Sequence, residues 1–145
     1  MPGVSPYQKQ ASSMKLAYTI IYVPNVTATV EFYEAAFGIA RRFIHESGTY
    51  AELETGATAL AFADEAFVAE SLHEFRRNRP TDAPCGAEVG FVVDDVASAF
   101  AQAVAAGARP SVEPMRKPWG QTVSYVRDLN GFLVELCTKV SGSES

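Results

Sequence analysis

Apolar residues along this chain follow two rhythms, a period of two over short runs and a helical spacing between them, and the pair of rhythms occurs twice in the same order. Residues 16–23, LAYTIIYV, alternate as a strand, with Thr19, Ile21 and Val23 on one face and Tyr18, Ile20 and Tyr22 on the other. Pro24 and Asn25 end that run, after which Val26, Val30, Tyr33 and Phe37 recur at helical spacing up to Gly38, a residue suited to a left-handed C-terminal cap. Three short strand-like runs follow, 39–46, 49–55 and 58–63, broken by Ser47-Gly48 and by Gly56. The first unit reads βαβββ.

Residues 64–84 interrupt the pattern, with a helix-compatible stretch over 65–77 and a loop containing Pro80 and Pro84. Then it resumes. Residues 88–93 read as a strand, and Asp94 or Asp95 can cap a helix to about Ala106 whose stripe is Val96, Phe100 and Val104, with Gly107 as its stop. Strand-like runs at 109–113, 121–127 and 132–138 complete a second βαβββ unit. The last two flank Asp128, Leu129, Asn130 and Gly131, and Asn-Gly between apolar runs is a strong hairpin signal. Sliding the chain by 70 residues lays AYTIIYVPNV over AEVGFVVDDV, so the halves are two copies of one unit. The expected architecture is α+β: two βαβββ units forming a curved mixed eight-stranded sheet with an open cleft. Residues 1–13 read as a flexible arm, 14–140 as the domain (half 1 about 16–63, crossing 64–84, half 2 about 86–138), and 141–145 as a flexible tail.

Each helix has to cover one sheet face, and the bulkier face is the one expected to be covered: Thr19, Ile21, Val23, Leu60, Phe62, Val89, Phe91, Val93, Val134 and Leu136. The opposite face then carries Tyr18, Ile20, Ala59, Ala61, Glu88, Gly90, Leu133, Glu135 and Cys137. It is smaller and holds both carboxylates that fall inside strands. Glu135, in the run Phe132, Leu133, Val134, Glu135, Leu136, needs a cation, a proton or a ligand to face; Arg127 or Arg116 across the hairpin is the plain alternative to a ligand. Two carboxylates close together also leave at least one with a raised pKa unless a positive group enters.

Composition narrows the partners. The chain has 145 residues and a net charge of -5, with no basic run, which argues against nucleic acid and leaves small molecules or protein. No apolar run approaches membrane-spanning length and no signal peptide pattern is present, so no membrane partner is expected. Cys85 and Cys137 lack paired spacing, which suits a reducing cytoplasm. His45 and His73 have no ligand-type neighbours at useful spacing, and Trp119 either rims the cleft or packs under its loop.

The run KPWGQ, then RDLNG, then LVEL, on paired βαβββ units, resembles the vicinal oxygen chelate superfamily, which includes glyoxalase I, bleomycin resistance proteins and extradiol dioxygenases. The likeness covers about residues 14–138, and PWGQTVSYVRDLNG is most similar to bleomycin resistance proteins, which bind a cationic glycopeptide without transforming it. The resemblance implies a homodimer. It also implies four ligand positions, which fall on Tyr18, Ala61 (Leu60 if the register slips by one), Glu88 and Glu135. Of these only Glu135 matches the usual carboxylate; Glu88 stands where histidine or another ligand is common, and Tyr18 and Ala61 do not match. A catalytic divalent site normally has three protein ligands and an open position.

The expected function is therefore small-molecule binding, of a cationic or antibiotic-like ligand, with no cofactor; Tyr18, Ala61, Glu88, Trp119 and Glu135 are the candidate contacts. The alternative is a metal-dependent lyase, isomerase or dioxygenase of the same superfamily, with Ni, Zn, Mn or Fe held by Glu88 and Glu135 and with Glu135 as the candidate catalytic residue. A third reading is a scaffold that acts through protein contacts alone.

Overall fold

The structure is a computed structural model and describes residues 13–72 and 74–140. The expected arm, apart from residue 13, the tail at 141–145 and His73 lie outside the described residues. Element order is β1 (Tyr18–Val23), α1 (Val26–Phe37), β2 (Arg41–Ile44), β3 (Tyr50–Leu53), β4 (Ala59–Asp64), α2 (Glu65–Ser71), β5 (Glu88–Val92), α3 (Val96–Ala105), β6 (Arg109–Arg116), β7 (Thr122–Arg127) and β8 (Leu133–Cys137). The α+β class and the two βαβββ units are as the pattern predicts. The eight strands form two hydrogen-bonded sheets of four, ordered β1-β4-β3-β2 and β5-β8-β7-β6. In each, the first strand pairs in parallel with the last and the remaining contacts are antiparallel.

The helices begin and end where their caps dictate. Asn25 accepts from the Ala28 amide and Asp95 from the Ser98 amide, each satisfying a first-turn donor, and Gly38 closes α1 at φ 68°. The crossing helix stops at Ser71, short of the 65–77 expectation, because the chain turns out to lay Phe75 edge-on against Tyr22, at 4.9 Å between ring centres, and Asn78 onto the Tyr22 carbonyl. Strand β6 runs further than expected, to Arg116; it is an edge strand, so Pro110 and Pro114 cost it no interior hydrogen bond, and its register shifts twice.

Helix α1 covers the first sheet, α3 covers the second, and the two helices pack on each other, with Gln102 of α3 donating to the Ala35 carbonyl of α1. Ile21, Val23, Leu60 and Phe62 of one sheet and Val126, Val134 and Leu136 of the other join Val26, Val30, Tyr33, Ala36 and Ala103 of the helices in one core. Thr19, expected among the covered residues, is exposed at the rim of that face, because β1 is an edge strand. With both helices inside, the second faces of the sheets point away from the shared core, and these faces carry the candidate residues.

The Asp128–Gly131 turn ties the halves together. Gly131 takes φ 87°, while Asn130 keeps a negative φ. The Asp128 carboxylate accepts from the amides of Asn130 and Phe132 at 2.8 and 2.9 Å and, on its other oxygen, from the Tyr33 hydroxyl at 2.6 Å; Asn130 donates to Thr29 Oγ1 at 3.0 Å. A hairpin of half 2 is thus bonded through two buried side chains to the helix of half 1.

Candidate functional site

Register places the two carboxylates. Gly90, Glu135 and Tyr125 are partners in one row across β5, β8 and β7, and Glu88 lies two residues before Gly90 on the same face. Glu88 is exposed and Glu135 half-buried. The Tyr125 hydroxyl donates to Glu135 Oε1 at 3.3 Å. A hydrogen bond shared with Glu135, together with burial and the repulsion of the Glu135 charge, raises the Glu88 pKa above the usual carboxylate range. Burial and the charges of Glu135 and Glu88 push the Tyr125 phenol up as well.

Among the described residues no ion pair reaches either carboxylate. The arginines that sequence offered as plain partners are elsewhere. Arg127 spends its guanidinium on the carbonyls of Gly131, Arg79 and Asp82, gripping the crossing segment, and Arg116 lies near Gly120. Cys137 is buried beside Glu135, and burial followed by that neighbour pushes its thiol up to about 11, which makes it an inert packing residue.

The corresponding row in half 1 is Ile20, Ala61 and Glu52 across β1, β4 and β3. Tyr18 is 54 % exposed on this face, but Ala61 is 0 % exposed and presents no surface to a ligand. The expectation that alanines would open a wall thus fails at Ala59 and Ala61, both of which are buried. Glu52, the carboxylate of this half, accepts from the Tyr50 hydroxyl at 2.7 Å and from Arg42 at 3.2 Å, so it is neutralised where Glu135 is not. Trp119 is 56 % exposed in the β6–β7 connection, its indole donating to Gln121 Oε1; it is not packed under the loop. His45 bonds Ser47 at the β2–β3 turn, away from these rows.

Tyr18 and Ala61 are therefore on one sheet and Glu88 and Glu135 on the other, with the shared core between. Among the described residues no three His, Cys, Asp or Glu side chains come together in a way that could hold a metal ion. Two carboxylates and a phenol are a poor set for a resident catalytic divalent ion, and the opposite half offers only Tyr18 at the family positions. A cavity of about 370 Å³ opens between α1, α3 and β5, lined by Phe37, Ile39, Phe91, Gln102 and Leu136 among others. Its lining also takes in Glu54, Gly90 and Val92 but neither Glu88 nor Glu135, so the carboxylate row and not the cavity is the candidate site.

Sequence reasoning missed Tyr125. Counting outward from the hairpin turn, Arg127 with Leu133 and then Tyr125 with Glu135, would have found it.

The model of the Glyoxalase/Bleomycin resistance protein/Dioxygenase superfamily matches residues 15–136. The uncharacterized protein YraH of Bacillus subtilis (strain 168) is 25 % identical over 124 residues, covering 85 % of this chain and 97 % of that protein. Similar solved structures include a glyoxalase-related enzyme from Fulvimarina pelagi, at 21 % identity and TM-score 0.74, covering 86 % of this chain and 88 % of the other. A glyoxalase/bleomycin resistance protein/dioxygenase family enzyme from Burkholderia phytofirmans PsJN is similar at 22 % identity and TM-score 0.74, covering 86 % and 98 %. TioX from Micromonospora sp. ML1 is similar at 21 % identity and TM-score 0.65, again covering 86 % and 98 %. At these identities the structural likeness speaks for the fold.

Proposed function

Because this chain belongs to the glyoxalase/bleomycin resistance protein/dioxygenase superfamily, we propose that it uses that fold to bind a small cationic molecule, without a resident metal, at the Glu88–Glu135 carboxylate pair. One observation carries the reading: Glu88 and Glu135 share one sheet face where, among the described residues, no ion pair reaches either carboxylate, while the equivalent half neutralises its own carboxylate with Arg42. Such a pair is costly unless a proton or an external cation joins it. Tyr125 donates to Glu135, and a bound cation would relieve the repulsion between the two carboxylates.

The two half-faces become a cleft when a second copy is added. Tyr18, Ile20, Phe43, Val92, Met115 and Trp119 are large apolar or aromatic side chains left exposed on or beside the outward faces of one chain, and we take them to be the contacts and rim of a homodimer. Aromatic surface from one copy beside carboxylates of the other suits a cationic, partly aromatic or antibiotic-like ligand. Both described cysteines are free, in keeping with a cytoplasmic protein, and no described helix is long and apolar enough to cross a membrane.

Thermal shift with a panel of cationic amines and cationic antibiotics, with and without chelator, tests this. Binding that raises the melting temperature equally in chelator, and fails in Glu135→Gln, supports it. A shift that needs divalent metal would instead favour the metal-dependent lyase, isomerase or dioxygenase, and no shift with any cation would favour a scaffold.

A further inference from the structure

Each half has its first strand at a sheet edge, β1 paired only with β4 and β5 only with β8. Along such a parallel ladder the amide and carbonyl of one residue point to the same side, and successive residues alternate. The Val93 amide donates to the Cys137 carbonyl, so the backbone groups of Phe91 and Val93 face β8 and those of Gly90 and Val92 face the free edge. By the same parity, counted from the Ala59 amide on the Ala17 carbonyl, Tyr22 faces the free edge of β1. There the Tyr22 carbonyl accepts from the Asn78 side-chain amide at 3.3 Å. The 70-residue shift lays Tyr22 on Val92, yet among the described residues no side chain bonds the Gly90 or Val92 backbone. A strand edge left open is a template for further pairing, and β5 has no proline to blunt it. The cavity of about 370 Å³ lies along this edge, lined by residues 90–93 of half 2 and by Phe37, Ile39 and Glu54 of half 1, and a second, of about 310 Å³, shares Thr55, Gly90 and Phe91 with it. Phe37 and Phe91 stand 5.4 Å apart between ring centres, an apolar wall drawn from both halves. Glu54, the one charged residue in the lining of the larger cavity, is paired with Arg42, which holds its carboxyl below the usual range.

We propose that this cavity is a second binding site, for an uncharged small molecule that presents an amide to the free edge of β5 and an apolar group to Phe37, Ile39 and Phe91. The site is separate from the Glu88–Glu135 row and does not depend on the cation-binding reading. The repeat supplies the chemistry of the occupant: in half 1 the chain itself places an amide, that of Asn78, on the equivalent carbonyl. An amide brings one donor and one acceptor, the complement of a strand edge that offers carbonyl and N–H from Gly90 and Val92. With Glu54 already neutralised by Arg42, the lining asks for no charge. The volume is that of a small-ligand pocket.

The test compares N-benzylacetamide with benzyl acetate, an ester of the same shape that lacks the N–H, each titrated into the full-length protein while the backbone amide resonances are followed by NMR. Wild type is expected to bind the amide saturably, with the largest shifts at Gly90 and Val92, and the ester at least tenfold more weakly, because a carbonyl of the edge is then left facing an oxygen. Ala99→Leu, which adds bulk to the lining, should weaken the amide at least tenfold, and Glu135→Gln should leave it unchanged. If Ala99→Leu lowers the melting temperature, the ester comparison in wild type decides alone. Equal binding of amide and ester, shifts centred away from β5, undiminished binding by a stable Ala99→Leu, or no binding of the amide would overturn the proposal. None of these results touches the carboxylate site, which Glu135→Gln tests with cations.

Discussion

The Tyr33 hydroxyl of helix α1 donates to the Asp128 carboxylate of the β7–β8 turn at 2.6 Å, both residues buried and on opposite halves of the repeat. Burial raises the Asp128 pKa even though the hydroxyl and backbone amides favour its charged form, and burial, then the Asp128 charge, raises Tyr33 well above a free phenol. That bond holds the hairpin bearing Glu135 and Tyr125 against the helix of the other half.

Removing the donor should be expensive. Tyr33→Phe leaves a buried carboxylate oxygen without its partner, and a loss of about 1–3 kcal/mol is expected in urea unfolding. A variant as stable as wild type would mean that the contact does not couple the halves.

The turn is also sterically fixed. A Cβ on Gly131 would stand 2.6 Å from the Arg79 carbonyl and 2.6 Å from the Arg127 guanidinium, at a φ of 87° that side chains avoid. Gly131→Ala should cost more than about 1 kcal/mol and loosen the grip of Arg127 on the crossing segment. Hydrogen exchange at the Asp82 amide, which donates to the Arg79 carbonyl, should then be faster; unchanged exchange would show the grip to be independent of the turn.

Glu88 gives a pH signature with a definite sign. Its pKa is raised in the folded protein, so its protonated form is favoured by folding; that contribution is present below the ordinary glutamate pKa and is lost as pH rises through the raised value. Glu88→Gln should therefore gain stability relative to wild type on going from acid to neutral pH, read from melting temperatures across that range. A difference that stays flat with pH would contradict the raised Glu88 pKa.

The same proton links binding to pH. A cation prefers the ionised pair, so its affinity should rise as pH climbs through the raised Glu88 pKa and level off above it, with protons released within that window. Calorimetry in two buffers of different ionisation enthalpy measures the release, which Glu88→Gln should abolish.

Much of the fold was legible because it is written in local signals: the period-two runs, the Asn25, Asp95 and Gly38 caps, and an internal repeat that aligned β1 with β5. The carboxylate pair was legible too, since Glu88 and Glu135 interrupt apolar strands. What could not be read were facts of tertiary placement. Asp128 looked like an ordinary turn residue, and only packing against α1 makes it a buried partner of Tyr33. Ala61 looked like open wall, yet it is fully buried, while a Cβ added at Gly90 would meet only Glu135. Alternation names the face of a side chain but not what leans over it.

The Glu88–Glu135 pair, reached by no ion pair among the described residues, is expected to bind a cation without metal. Calorimetric titration of benzylammonium into chelator-treated wild type and Glu135→Gln tests it most directly. Saturable binding by the wild type, unchanged by the chelator and at least tenfold weaker in the variant, is the predicted result. Binding that disappears on chelation, or that persists undiminished in Glu135→Gln, would contradict it.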